Sequence, residues 1–233
     1  MRKLLLFLIM ALAPSLLMAQ AAGGQIKRNR VNSDKSKTSV KKPDQVKKTT
    51  KHDYVDLGLS VKWATCNVGA SSPSDFGDYY AWAEIEPKTN YSENNYVYHN
   101  AEGQYYVFDT DIEGTEDDVA HIAWKGSWRL PTKEEWDELS NNCNWKWTKM
   151  DGHDGYLITG YNGNSIFLPA AGGYVGSKLS YTEMGLYWSS RQMDDFASGA
   201  YGFHFNSSGK GWGDGSFRWQ GHTIRPVFGK RHK

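Results

Sequence analysis

The aromatic residues divide this chain, and that division constrains what it can fold into. All ten tryptophans of the 233 residues lie beyond residue 62, whereas 20–53 contains no Phe, Trp or Tyr. A segment so poor in large apolar side chains cannot offset its chain entropy by burial. The folded unit must therefore come from 54–229, about 175 residues and long enough for one sizeable core.

The preceding residues read as an export signal and a tether. Arg2 and Lys3 precede an apolar run from Leu4 to Met18, with small residues at Ala19, Ala21 and Ala22. That is a secretory signal layout, too short to span a bilayer comfortably. Residues 1–19 are read as the signal peptide, with cleavage after Ala19 as first choice and after Ala22 as second. The chain is expected to be exported: periplasmic, cell-surface or secreted. Residues 20–53 read as a basic, disordered tether, with ten Lys or Arg between Lys27 and Lys51. A solvated spacer is one reading, and adhesion to an anionic envelope polymer the other. From Tyr54 onward 15 Lys/Arg face 23 Asp/Glu, which argues against nucleic acid as partner of the folded part. Residues 230–233 form a short basic tail.

Local patterns predict an α+β fold of small sheets, two short helices and long ordered loops. "YVDLGLSVKWATCNVG" alternates as a half-buried strand or hairpin does. "GTEDDVAHIAW" predicts a first helix capped by Thr115, with acids in its first turn. "RLPTKEEWDELSNNC" predicts a second, with Thr132 and Glu135 as a capping box and Trp136 and Leu139 on one face. Asn162-Gly163 predicts a type I′ hairpin turn. In "AYGFHF", Tyr201, Phe203 and Phe205 share one face, which leaves Gly202 and His204 on a face expected to be exposed. "GKGWGDGSFRWQGH" (209–222) is glycine-spaced and aromatic without an aliphatic residue, and reads as a final loop before "TIRPVF" closes the sheet near the first strand.

Chemistry-bearing motifs are sparse. Cys66 and Cys143 are the only cysteines. In an exported domain they predict a disulfide, with two buried thiols as the alternative. The histidines are scattered without zinc-ligand spacing. The six acids from Asp109 to Asp118 offer oxygens to Ca²⁺ but lack EF-hand spacing, and helix-capping acids are the simpler reading. No cofactor is expected. There is no G-x-S-x-G elbow and no P-loop.

Five words in order carry a resemblance: "YVDLGLSVKWATCNVGA" (54–70), "WKGSWRLPTKEEWDEL" (124–139), "NGNSIFLPAAG" (162–172), "YWSS" (187–190) and "IRPVF" (224–228). Together they resemble the Fibrobacter succinogenes major paralogous domain family, common in exported proteins of Bacteroidetes. The resemblance covers nearly all of 54–229 and implies a C-type-lectin-like fold. Formylglycine-generating enzyme relatives share that fold and similar words, but rely on a late cysteine pair. No cysteine follows Cys143, so that activity is rejected. Calcium-dependent lectins carry Glu-Pro-Asn or Gln-Pro-Asp and Trp-Asn-Asp. Here Glu86-Pro87-Lys88 and Trp212-Gly213-Asp214 are only partial echoes.

The chain is also similar to target proteins of diversity-generating retroelements, whose segment between "YWSS" and "RPV" varies. By that resemblance Arg191, Met193, Asp194, Asp195, His204, Trp212, Asp214, Phe217 and Trp219 form a binding face. The expected function is a non-catalytic module recognising a protein or glycan. Trp212 and Trp219, at least partly exposed, would supply apolar contact, while Arg218, Asp214 and His204 orient polar groups. The alternatives are a structural surface or matrix component and an enzyme of unrecognised class.

Overall fold

The computed structural model describes residues 52–230 together with the backbone of Ile26–Lys27. The signal peptide at 1–19, the tether at 20–53 apart from four residues, and tail residues 231–233 lie outside the described residues. Two α-helices occur among the described residues, α1 Val119–Trp124 and α2 Lys133–Asn142. The rest is small, mainly antiparallel sheets joined by irregular segments, a mixed α+β architecture.

The helix starts follow from their caps. At α2 the Thr132 hydroxyl accepts the Glu135 N–H at 3.2 Å, and the Glu135 carboxylate accepts the Thr132 N–H at 2.9 Å, completing the expected capping box. The same carboxylate takes the Arg129 guanidinium as a fork, at 2.8 and 2.6 Å, with both groups buried. "RLPTKEEW" is thus a clamp that ties the Trp128–Arg129 strand to the start of α2. At α1 the cap is Asp118 rather than Thr115, and the helix begins only at Val119. Asp118 accepts N–H bonds from Gly114, Ala120, His121 and Leu130, at 2.7 to 3.2 Å. The carboxylate reaches more orphan amides than a threonine hydroxyl can.

A framework sheet joins the two ends of the domain. Its strands run in the order Tyr54–Val55, Lys62–Ala64, Val227–Phe228 and Trp128–Arg129, all antiparallel, with Val227 opposite both Trp63 and Arg129. A meander follows: Asn144–Met150, His153–Thr159 and Ser165–Pro169. Its first strand was not predicted, although Trp145 and Trp147 alternate with Lys146 there. Its first turn, Asp151–Gly152, has φ of 51° and 88°, the two-residue type I′ geometry. At the second turn only Gly163 has positive φ, at 83°, so Asn162 does not enter a type I′ turn. Gly160 N–H instead pairs with Asn164, which leaves a three-residue loop. The Asn162 side chain donates to the Asp56 carbonyl at 2.8 Å.

The third sheet contains Gly185–Gln192 and Gly199–Asn206, and it is covered on both faces. Tyr187, Phe203 and Phe205 point toward the meander and α2, packing with Trp63, Trp136 and Leu168. Trp188 and Ala200 point the other way, against Trp82, Leu130 and Ile224. Segment 80–82 seals this second face: Trp188 Nε1–H donates to the Tyr80 carbonyl at 2.8 Å, and Trp82 Nε1–H to that of Ser189 at 2.9 Å. The expected final loop forms two short strands, Gly209–Trp212 and Ser216–Phe217, both paired to Gly199–Asn206. Glycine weakens a strand interior, but at an edge the backbone bonds alone suffice. A two-stranded hairpin, Gly173–Val175 with Lys178–Ser180, and a parallel pair, Ile26–Lys27 with Tyr106–Val107, complete the set.

The expected disulfide is not formed: Cys66 and Cys143 are free thiols. Cys143 caps the end of α2, where burial and the Glu138 carboxylate push its thiol pKa up. Cys66 follows the Lys62–Ala64 strand, beside Thr65 and near the Arg225 guanidinium. Among the described residues no helix is long and apolar enough to cross a membrane.

Candidate functional site

Register decides which side chains of the C-terminal segment share a surface. Phe203 pairs with Trp212, and Gly199 with Phe217. Cross-strand partners point to the same face. Trp212, Tyr201 and Phe217 therefore lie on the α2 side of the third sheet. Ser216, opposite Ala200, points the other way together with His204.

Trp212 is half-buried where α2 meets the sheet. Its Nε1–H donates to Asp137 Oδ1 at 2.6 Å, and the Lys133 ammonium stands 4.8 Å from its ring centroid. Tyr201 and Phe203 meet it edge-on, at 5.8 and 5.4 Å. Lys133 and Asp137 are an i,i+4 pair, 2.9 Å apart, so one turn of α2 holds the indole from two sides. Arg191 makes loose ion pairs at 3.6 Å with Glu134 of α2 and with Asp194. Such exposed pairs contribute less than about 1 kcal/mol, so the guanidinium can exchange them for another anion at little cost.

The other end of the face is aromatic. Phe217, 42 % exposed, stacks on Trp219 at 5.2 Å and 15°, with Phe196 at 5.5 Å, and half-buried Trp219 itself packs against the cluster of Ala81, Tyr91, Tyr96 and Tyr105. Met193 packs beside them. A Cβ on Gly215, which has φ of 104°, would stand 2.4 Å from the Met193 sulfur. Asp194, Asp195 and Asp214 are exposed around this patch.

Two expected face residues point inward. Arg218 is fully buried: its guanidinium donates to the Tyr96 hydroxyl and to the carbonyls of Tyr106 and Ala197, at 2.8 to 3.0 Å. Rings of Trp82, Tyr96, Tyr105 and Phe108 surround it at 4.8 to 5.8 Å. It pins the last sheet to the tyrosine-rich loops and cannot orient a ligand. His204 lies on the covered face, its Nε2 3.0 Å from the Ser216 hydroxyl and its ring 5.8 Å from that of His222. Burial pushes its pKa down to about 4, with Asp214 opposing, so the imidazole is neutral at pH 7.

Sequence reasoning missed Lys133, Asp137, Tyr201 and Phe196 as parts of this face. The i,i+4 spacing of Lys133 and Asp137 was a legible signal, but nothing local indicated which strand would cross that turn. Among the described residues no group of three or more His, Cys, Asp or Glu is arranged to hold a metal ion. In the 109–118 stretch, Asp118 is committed to backbone amides and Asp117 accepts the Tyr98 hydroxyl.

No protein-family model, curated protein or solved structure matches the chain.

Proposed function

We infer that this chain is an exported, non-catalytic binding module with a C-type-lectin-like fold, and that it recognises a protein or glycan through the α2 side of its last sheet. The observation that carries this reading is the Phe217–Trp219 stack, whose outer ring is 42 % exposed while packing against Phe196 at 5.5 Å. A large aromatic already fixed in place loses little conformational freedom on binding, so its burial adds directly to affinity. Trp212, Lys133 and Arg191 extend the face toward α2 with an apolar edge and two cations. The pairing of the last strand, Val227–Phe228, with Lys62–Ala64 supports the lectin-like fold, since it brings both ends of the domain into one framework sheet. The basic segment at 20–53 serves as tether and supplies cations for an anionic envelope polymer.

A glycan array and affinity capture from envelope extracts identify the ligand. Phe217→Ala together with Trp212→Ala should weaken binding by at least about tenfold, since interface aromatics contribute upwards of 1.4 kcal/mol. Binding that survives both substitutions would place recognition elsewhere and favour a structural surface component.

A further inference from the structure

A second surface has no part in that face. Ile85, Val97 and Ile122 are 37, 64 and 40 % exposed, three of the seven large apolar side chains exposed among the described residues. All three line one open groove of about 540 Å³. Its exposed rim carries the carboxylates of Glu86 and Glu116, with buried Glu84 and Asp117 behind them and one ammonium, Lys88, bonded to Glu84 at 2.6 Å. An apolar floor with an acidic rim fits long cationic side chains, whose methylene stems cover apolar surface while their heads reach charge.

The ends of the chain's own basic segment flank this groove. At one end Ile26–Lys27 pair with Tyr106–Val107, and the Tyr106 N–H donates at 3.0 Å to the carbonyl of Tyr98, a groove residue. At the other, His52 stacks on Trp124 with centroids 3.8 Å apart, two residues beyond Ile122 on α1. The residues between, 28–51, carry nine Lys or Arg against Asp34 and Asp44, with Val31, Val40 and Val46 among them. Fully extended they reach about 80 Å, more than the width of a domain this size.

We propose that the acid-rimmed groove between Ile85, Val97 and Ile122 is the docking site of the chain's own basic segment, 28–51. Lysine and arginine heads meet the rim at Glu86 and Glu116, and their stems and the valines cover the floor. An anionic polymer that binds the segment then competes with the groove for the same cations.

The test uses the whole mature chain. Tryptic cleavage within 28–51 should run about tenfold slower than in a free peptide of that sequence, because cleavage tracks the undocked population. Glu86→Lys with Val97→Lys, both at exposed positions, should restore the peptide rate. About 0.5 M salt should do so in part, with the peptide at the same salt as control. Cleavage at the peptide rate in the unsubstituted chain, or protection unchanged in the double variant, overturns the proposal. Carbodiimide coupling of mixed unlabelled and ¹⁵N-labelled chains supplies the second readout. Links from the segment to Glu86 or Glu116 within one chain are expected. Links that join labelled to unlabelled chains would assign the groove to a second copy and overturn docking in cis.

Discussion

Buried cations and imidazoles set the energetics of single residues in this domain. Arg225 and Arg218 are both fully buried, and among the described residues no carboxylate is a hydrogen-bond partner of either. Arg225 donates to Asn67 and to the carbonyls of Ala64 and Thr65, at 2.8 to 3.1 Å. A guanidinium can be held this way because its planar fork donates several bonds at once. The histidines lead to a pH dependence. His204 is pushed down to about 4, and His222, stacked on Trp188 at 4.0 Å, lies well below its ordinary value through burial and the neighbouring His204. Both titrate near 6.5 when unfolded, so the unfolded chain binds more protons below that pH. Their contribution to stability is complete above about 6.5 and is lost as pH falls toward 4. Asp118, raised to about 6 by burial against its four amide donors, acts in the opposite sense over part of that window. His204→Gln isolates one group. Between pH 6.5 and 4 its unfolding free energy should depend on pH less steeply than the native chain's, by up to about 1.4 kcal/mol per pH unit. Urea midpoints measure this, and an unchanged slope would mean that His204 is solvated in the folded state.

At the scale of elements, the turns show how little sequence separates two hairpin geometries. Asp151–Gly152 and Asn162–Gly163 are both favourable type I′ pairs, yet only the first adopts that turn. Asn162 is drawn away because its side chain and that of Asn164 both donate to the Asp56 carbonyl, at 2.8 and 2.9 Å. A contact to Asp56, just past the Tyr54–Val55 strand and some hundred residues earlier, thus selects the turn. Glycine substitutions separate backbone strain from packing. A Cβ on Gly152 or Gly163 meets no atom within 4 Å, so Gly→Ala there costs only the positive φ, about 1 to 2 kcal/mol. A Cβ on Gly160 would stand 2.2 Å from the Leu57 carbonyl oxygen, so Gly160→Ala must move backbone and should cost more than about 2 kcal/mol. Thermal or urea unfolding of the three variants gives the order. Equal costs would mean that the meander does not pack on Leu57 as described.

At the scale of the whole molecule, closure comes from residues distant in sequence. Val227 sits between Trp63 and Arg129, so the framework sheet is incomplete until the end of the domain arrives. No covalent link assists, since both cysteines are free. The native protein, unfolded without reductant, should therefore alkylate at two positions and migrate identically with and without reductant; modification at neither would restore the bridge. Some features were legible because their causes are local. The α2 cap needs only Thr132 and Glu135, three residues apart, and the split between basic segment and aromatic domain needs only composition. The alternation of Tyr201, Phe203 and Phe205 likewise determined that Gly199–Asn206 has two distinct faces. Whether the second face has a cover was decided by Tyr80, Trp82 and His222, which reach it from elsewhere in the chain. That cover turned His204 inward, and the caging of Arg218 depended on aromatic rings contributed between residues 82 and 108. Tertiary structure also brought Lys133 and Asp137 under Trp212. The sequence by itself determined periodicity, capping and charge partition, which depend on neighbours a few residues apart. Burial, turn choice and the make-up of the binding face depend on which distant segment fills a given space, and only the tertiary structure decided those.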